Sequence, residues 1–385
     1  MKKIGIITIL KTNNYGAELQ AYATQAILNK LGYDAEIIDY LFYKNPGHII
    51  TKASKPSFNH GLKKKLSEKL YPIIARLKAQ ASTESSSNRE KRFDKFHTEN
   101  TRMSPTYRTI DDLYAAKQSY DVYMVGSDQV WNPLCMKGDG VFFCDFACLQ
   151  DYKLSYASSF SVPSLPLQYQ DLYKRYLASY SKLSVREMSG VEVINRLVGI
   201  NPEIVCDPTL LLTKEEYEII SKESVIDIKE DYILVYALTY AYNPYPQIER
   251  VTRKIQEQLG IRVVYLHSNS IEHYHVGQSI TFAGPCEFVY LFLNAKYVIT
   301  SSFHGTAFAV NFGVPFYSIV PETIHDGRIM SLLRIMGLED RAIRTTQILS
   351  DSLDVNMDYH EPFYKLKRYR KDSLDYLAQS LNEVV

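Results

Sequence analysis

The sequence predicts an α/β protein built as two tandem parallel-sheet domains with a cleft between them. Three observations carry this. The chain has 385 residues, too many for one ordinary core and enough for about two domains of average size. Its opening reads strand, loop, helix, strand, the βαβ pattern of a parallel sheet. The same alternation starts again after a break at Asp207-Pro208.

The opening strand is apolar Ile4 to Leu10. Lys11 to Gly16 is a polar loop, and Ala17 to Leu31 spaces Leu19, Tyr22, Ala23, Ala26 and Ile27 as one helical face, with Gly32 as its stop. Ala35 to Ile38 is the next strand. Periodicity weakens from Phe42 to Asn100. Gly61 to Lys78 reads as a helix, serine-rich Ala81 to Asn88 as a mobile loop, and Lys91 to Phe96 as the start of another helix. This stretch is expected to be an insertion beside the sheet, an acceptor-binding flap.

Strands resume at Tyr120 to Val125, Lys153 to Ala157, Lys182 to Val185 and Ile204-Val205, with a helix over Leu167 to Tyr180. In the second half, strands are expected at Tyr232 to Ala237, Val263 to Leu266, Lys296 to Thr300 and Pro315 to Ile319. Helices are expected at Gln247 to Leu259, Glu287 to Asn294 and from about Gly305. Pro362 to Leu381 is a final helix that can cross back to the first domain. The expected division is 1–206 with the insertion around 42–118, then 207–360, then a terminal helix over 361–385.

Composition narrows the function. Acidic and basic residues nearly cancel, leaving a net charge of +1, so a nucleic-acid partner is not expected. Apolar residues make up 46%, as in soluble globular chains. The opening run is too short for a secretory signal, and no apolar stretch approaches the roughly 20 residues needed to span a bilayer. The five cysteines show no paired metal-ligand spacing and read as reduced thiols. His273-Tyr274-His275 places two imidazoles on one face of an extended chain, but no further ligands stand at metal-binding spacing, so no metal is expected.

Four stretches can carry chemistry. In Ser301-Ser302-Phe303-His304-Gly305-Thr306, a strand gives way to a helix. His304 can move a proton near neutral pH, and the N–H groups of Gly305 and Thr306 with the Ser301, Ser302 and Thr306 hydroxyls can face an anion. A histidine that merely caps the helix is the competing account. Asn14-Tyr15-Gly16 closes the loop after the first strand. Gly16 permits close backbone approach and the helix dipole favours negative charge, although a plain βα loop fits as well.

Arg186 stands at a strand end, where its planar fork suits a carboxylate or phosphate; an ion pair with Glu187 is the alternative. Ser127, Asp128, Gln129 and Asn132 offer partners for sugar hydroxyls, with Asp128 also a candidate base. Trp131 offers a ring face to a sugar unless it packs into the core. No G-x-G-x-x-G and no Walker A sequence occurs.

Together these stretches resemble the polysaccharide pyruvyltransferase family. The resemblance rests on five ordered blocks running from Asn14 to Thr306: Asn14 to Tyr22, Val125 to Asn132, Leu183 to Glu187, Asp207 to Leu210, and Ser301 to Thr306. It implies a glycosyltransferase-B-like architecture of two Rossmann-like domains, the first taking the acceptor and the second the donor. It implies a bacterial cytoplasmic transferase that uses phosphoenolpyruvate and builds a pyruvate ketal on a capsular, exopolysaccharide or cell-wall sugar. Lipid-linked oligosaccharides are among the acceptors, with peripheral contact at the inner membrane face allowed.

No cofactor or metal is implied. His304 matches the family's donor-contacting acid. Some members carry arginine two positions before it, where this chain has Ser302, which brings forward Arg186 or Arg328 as the anion clamp. The rival readings are a nucleotide-sugar-dependent glycosyltransferase of the same architecture and an inactive sugar-binding homologue.

Overall fold

The computed structural model describes residues 1–41, 87–117, 119–148, 151–267, 277–322 and 327–384. The first half contains β1 (Lys3–Ile7), α1 (Tyr15–Lys30), β2 (Asp34–Ile37), α2 (87–100), α3 (Ile110–Ala115), β3 (Val122–Val125) and α4 (Pro133–Met136). It continues through β4 (Tyr152–Ser155), α5 (Leu167–Leu177), β5 (Ser184–Val185), α6 (Met188–Val198) and β6 (Glu203–Ile204). The second half contains α7 (Pro208–Leu211), α8 (Lys214–Ser221), β7 (Tyr232–Tyr236), α9 (Gln247–Leu259), β8 (Arg262–Leu266), β9 (Gln278–Ile280) and α10 (Pro285–Leu293). It ends with β10 (Tyr297–Thr300), α11 (Phe303–Phe312), β11 (Phe316–Val320), α12 (Arg328–Met336), β12 (Ala342–Arg344) and α13 (His360–Val384).

Both sheets are parallel. The first runs β2-β1-β3-β4, and the β5–β6 pair lies beside β4 through the bridges Leu154–Lys182 and Ser158–Val185. The second runs β9-β8-β7-β10-β11-β12. The central strands read Val-Tyr-Met-Val (β3) and Tyr-Ile-Leu-Val-Tyr (β7), buried on both faces as parallel sheets require. In each sheet the chain builds outward on one side of its first strand and then restarts on the other. The switch points fall between β1 and β3 and between β7 and β10. Loops leaving such paired strands diverge and open a crevice at the carboxyl ends.

The halves are joined by a shared core. One apolar cluster takes Ile4, Ile6 and Leu19 from the first half and Leu234, Val298 and Phe308 from the second. α11 begins at Phe303, two residues before the expected start, because the Ser302 side chain caps it. Residues 87–100 are helical where the sequence indicates a helix only from Lys91 to Phe96 and a loop up to Asn88. The expected helix over 61–78, residues 81–86 of the expected loop, and His273 and His275 lie outside the described residues. Among the described residues, no helix is long and apolar enough to cross a membrane.

Candidate active site

The loops at the two switch points meet. After β1, Asn14 caps α1, its Oδ1 accepting from the N–H groups of Gly16 (3.0 Å) and Ala17 (3.3 Å). After β10, Ser302 caps α11. His304, in the first turn of α11, lays its ring against Gly16: a β-carbon there would sit 1.9 Å from Nδ1. The imidazole is 6% exposed, held between the amino ends of two helices from opposite halves.

The expected anion cradle around this ring is corrected. Ser302 Oγ accepts the Gly305 N–H at 3.3 Å, and Ser302 O accepts both the N–H (2.9 Å) and the hydroxyl (3.0 Å) of Thr306. Ser301 Oγ is bonded to the backbone of Leu238. These four residues shape the turn, and their polar groups are taken up by it. Asn14 is likewise occupied as a cap.

Two aromatic candidates also turn out to be structural. Trp131 is fully buried, stacks on Phe143 at 5.6 Å and donates its indole N–H to Phe142 O (2.9 Å), so it is no sugar platform. Tyr15 is fully buried, stacks on Phe288 at 4.9 Å and reaches Ala283 O (3.1 Å), tying α1 to the second half. In the loop after β3, Asn132 Nδ2 donates to Gln129 Oε1 (2.8 Å) while Asn132 Oδ1 caps α4. These two amides therefore brace each other.

The charged centre is organised by Asp207, which in the sequence stands out only through the Asp207-Pro208 break and the Asp207 to Leu210 block. It is the cap of α7: its Oδ1 accepts from the N–H (3.0 Å) and hydroxyl (2.6 Å) of Thr209. Its Oδ2 lies 2.6 Å from Arg186 Nη1, 2.9 Å from Ser127 Oγ and 3.8 Å from His304 Nε2. Burial alone would push this carboxyl up. The His304 imidazole, the Arg186 guanidinium and Thr209 outweigh burial and hold it well below the ordinary carboxylate range.

Arg186 is therefore not an open clamp. Its side chain is 2% exposed, and it also faces Asp128 (3.6 Å) and Glu187 (3.9 Å) and lies over the Phe303 ring at 4.3 Å. A buried guanidinium shared among three carboxylates is fixed in place. Asp128, at φ 72°, lies 3.6 Å from both Arg186 and Arg328. It bridges two cations, an arrangement that orients Arg328 and does not suit a hydroxyl base.

Arg328, in the first turn of α12, keeps 18% of its side chain exposed and has Asp128 as its charged neighbour. It lines a narrow pocket with Arg186, Asp207, Phe303 and Tyr369, the last contributed by α13. Of the two proposed cations, Arg328 is thus the more exposed. The clue to Asp207 was local: Asp followed by Pro is a helix-start signal. Its meeting with His304 and Arg186 is long-range and has no local trace.

Comparison with protein-family models matches residues 14–323 to the family described as polysaccharide pyruvyl transferase. The chain belongs to that family. A comparison with curated proteins finds no match. Among solved structures, UDP-GlcNAc 2-epimerase from Neisseria meningitidis is similar, with 10% identity, full coverage of both chains and a TM-score of 0.50. UDP-GlcNAc 2-epimerase from Methanocaldococcus jannaschii has 14% identity, 97% and 93% coverage and a TM-score of 0.48. E. coli ADP-heptose heptosyltransferase II has 10% identity, 96% and 99% coverage and a TM-score of 0.36. At such identity the likeness speaks to the fold alone, which is glycosyltransferase-B-like.

Proposed function

We propose that this pyruvyl transferase family member moves the enolpyruvyl unit of phosphoenolpyruvate onto two hydroxyls of one sugar, forming a pyruvate ketal and releasing phosphate. The supporting observation is the juxtaposition of the His304 imidazole with Asp207 beside a pocket that Arg328 lines. The donor carries a carboxylate and a phosphate, and Arg328 offers a planar cation to one of them. Its enol ether becomes electrophilic when its methylene carbon takes a proton, which His304 supplies. One sugar hydroxyl then bonds to C2, and a second displaces phosphate. One hydroxyl proton restores the histidine and the other leaves on phosphate. The balance involves no change of redox state.

The ring is largely covered, so the donor enters as the loops at the two switch points part. Phosphate release from phosphoenolpyruvate with acceptor oligosaccharides tests the reading. His304→Asn should lower turnover by about 10²–10⁴-fold while leaving the melting temperature in place. Turnover unchanged within about twofold would remove His304 from the chemistry. A thermal shift with a nucleotide sugar and none with phosphoenolpyruvate would favour a glycosyltransferase instead.

A further inference from the structure

We propose that Asp207 is the positioning residue of His304: it takes the Nε2–H of the ring and so fixes the tautomer and orientation of the imidazole. The ring's two nitrogens have different surroundings. Nε2 is buried and finds no hydrogen-bond partner among the described residues, and the charged oxygen Asp207 Oδ2 stands 3.8 Å away. A buried ring nitrogen left unpaired costs free energy, and a small ring movement closes this gap. Hydrogen bonds at catalytic groups are often long without substrate and tighten when it binds.

Asp207 is built to stay put and stay charged. Its side chain is 0% exposed, and Thr209, Ser127 and Arg186 hold both of its oxygens. Held well below the usual range, the carboxyl remains an anion throughout the pH range in which the protein works. An imidazole beside a fixed anion places its N–H on the nitrogen facing that anion, which fixes the tautomer. Nδ1 faces the other way, to the start of α1, where only a missing β-carbon makes room for it. Asp207 thereby links two otherwise separate features, since the carboxylate that orients His304 is also the one that neutralises Arg186.

The catalytic half of this inference rests on the transferase reading, whereas the tautomer does not. The test is long-range ¹H–¹⁵N spectroscopy of the full-length protein labelled in histidine, recorded at a pH where imidazoles are uncharged, with His304 assigned by its loss in His304→Asn. The expected result is the Nε2–H tautomer in the native protein. Asp207→Asn should mix or reverse it and lower kcat by about 10²-fold or more, with KM for phosphoenolpyruvate changed less than about threefold.

An Nδ1–H tautomer in the native protein overturns the proposal, and needs no Asp207 variant that folds. So does an Asp207→Asn protein that folds, keeps the tautomer and keeps kcat. If the native protein shows Nε2–H but releases no phosphate from phosphoenolpyruvate, the positioning role stands and the transferase reading falls.

Discussion

Gly16 brings a backbone from one half of the molecule against a titratable ring from the other. It is helical, outside the left-handed region, so alanine fits its conformation and would add about 0.5–1 kcal/mol of helix preference. The new β-carbon would nevertheless sit 1.9 Å from His304 Nδ1, and overfilling a packed contact typically costs about 1–3 kcal/mol. The helix preference offsets only part of that cost in stability and none of it in geometry. Gly16→Ala is expected to lower turnover at least about tenfold, since a misplaced acid loses most of its effect, while the melting temperature moves only a few degrees. Paired kinetic and thermal measurements check this; unchanged turnover would mean that the ring has room the contact denies. Gly16 was legible in the sequence as a point of close approach, but the approaching group was expected to be a ligand. The same limit explains Trp131 and Arg186. Residue type announces a ring or a cation, and only the folded surroundings decide whether a sugar, a core or three carboxylates receive it.

At the scale of elements, α1 meets α2 through two buried ionisable groups. Glu18 Oε2 lies 3.3 Å from His97 Nε2, with side-chain exposures of 0% and 7%. Burial pushes Glu18 from its ordinary 4.5 up to about 8, against the opposing pull of the Thr12 and Lys11 N–H groups and the Lys11 ammonium; Asp39 adds to the rise. Burial pushes His97 from 6.5 down to about 4, with Lys11 adding to the fall and Asp94 and Asp39 opposing it. The folded pair therefore keeps close to one proton between pH 4 and 8. From 4.5 to 8 the folded Glu18 binds its proton more tightly than the unfolded one, so its contribution falls as pH rises. From 4 to 6.5 the unfolded His97 binds more, so its contribution rises. The two nearly cancel up to pH 6.5, and a net loss of stability remains from 6.5 to 8. Glu18→Gln should flatten that limb relative to the native protein in urea titrations run across this range. An equal slope in both would show that Glu18 does not titrate there. The sequence marked α1 as a helix by its apolar spacing, yet nothing in that spacing separates Glu18, turned inward, from an ordinary acid in a first turn. Helices α6, α8 and α12 were not foreseen either. α8 and α12 are short, at 8 and 9 residues, whereas α6 has 11, as many as the expected α5.

For the whole molecule, the alternation of strands and helices was enough to read two parallel sheets, because each central strand is an apolar run that only a doubly covered sheet accommodates. How the sheets are held together was legible only in part, as a final helix able to cross back. That helix, α13, acts as a strap. Near its middle, Arg370 bonds Leu210 O and Asn311 Oδ1, both in the second half. Farther on, Ser373 Oγ accepts the Cys206 N–H at 2.9 Å, and Tyr376 donates to Leu183 O at 3.0 Å. Lys182 pairs with Glu383 at the far end. Along the same helix Leu366, Leu377 and Leu381 are buried in the core the halves share, and Tyr369 lines the pocket beside Arg328. The strap thus ties residues 182–206 of the first half to Leu210 and Asn311 of the second. Leu381→Ala, at the end anchored on the first half, should cost about 2–5 kcal/mol, as for other buried leucines, measured as a shift in the urea midpoint. If the helix merely rested on the surface, the shift would stay within about 0.5 kcal/mol. A large shift would instead place the stability of the Gly16–His304 junction partly in a helix more than 50 residues beyond His304 in the chain.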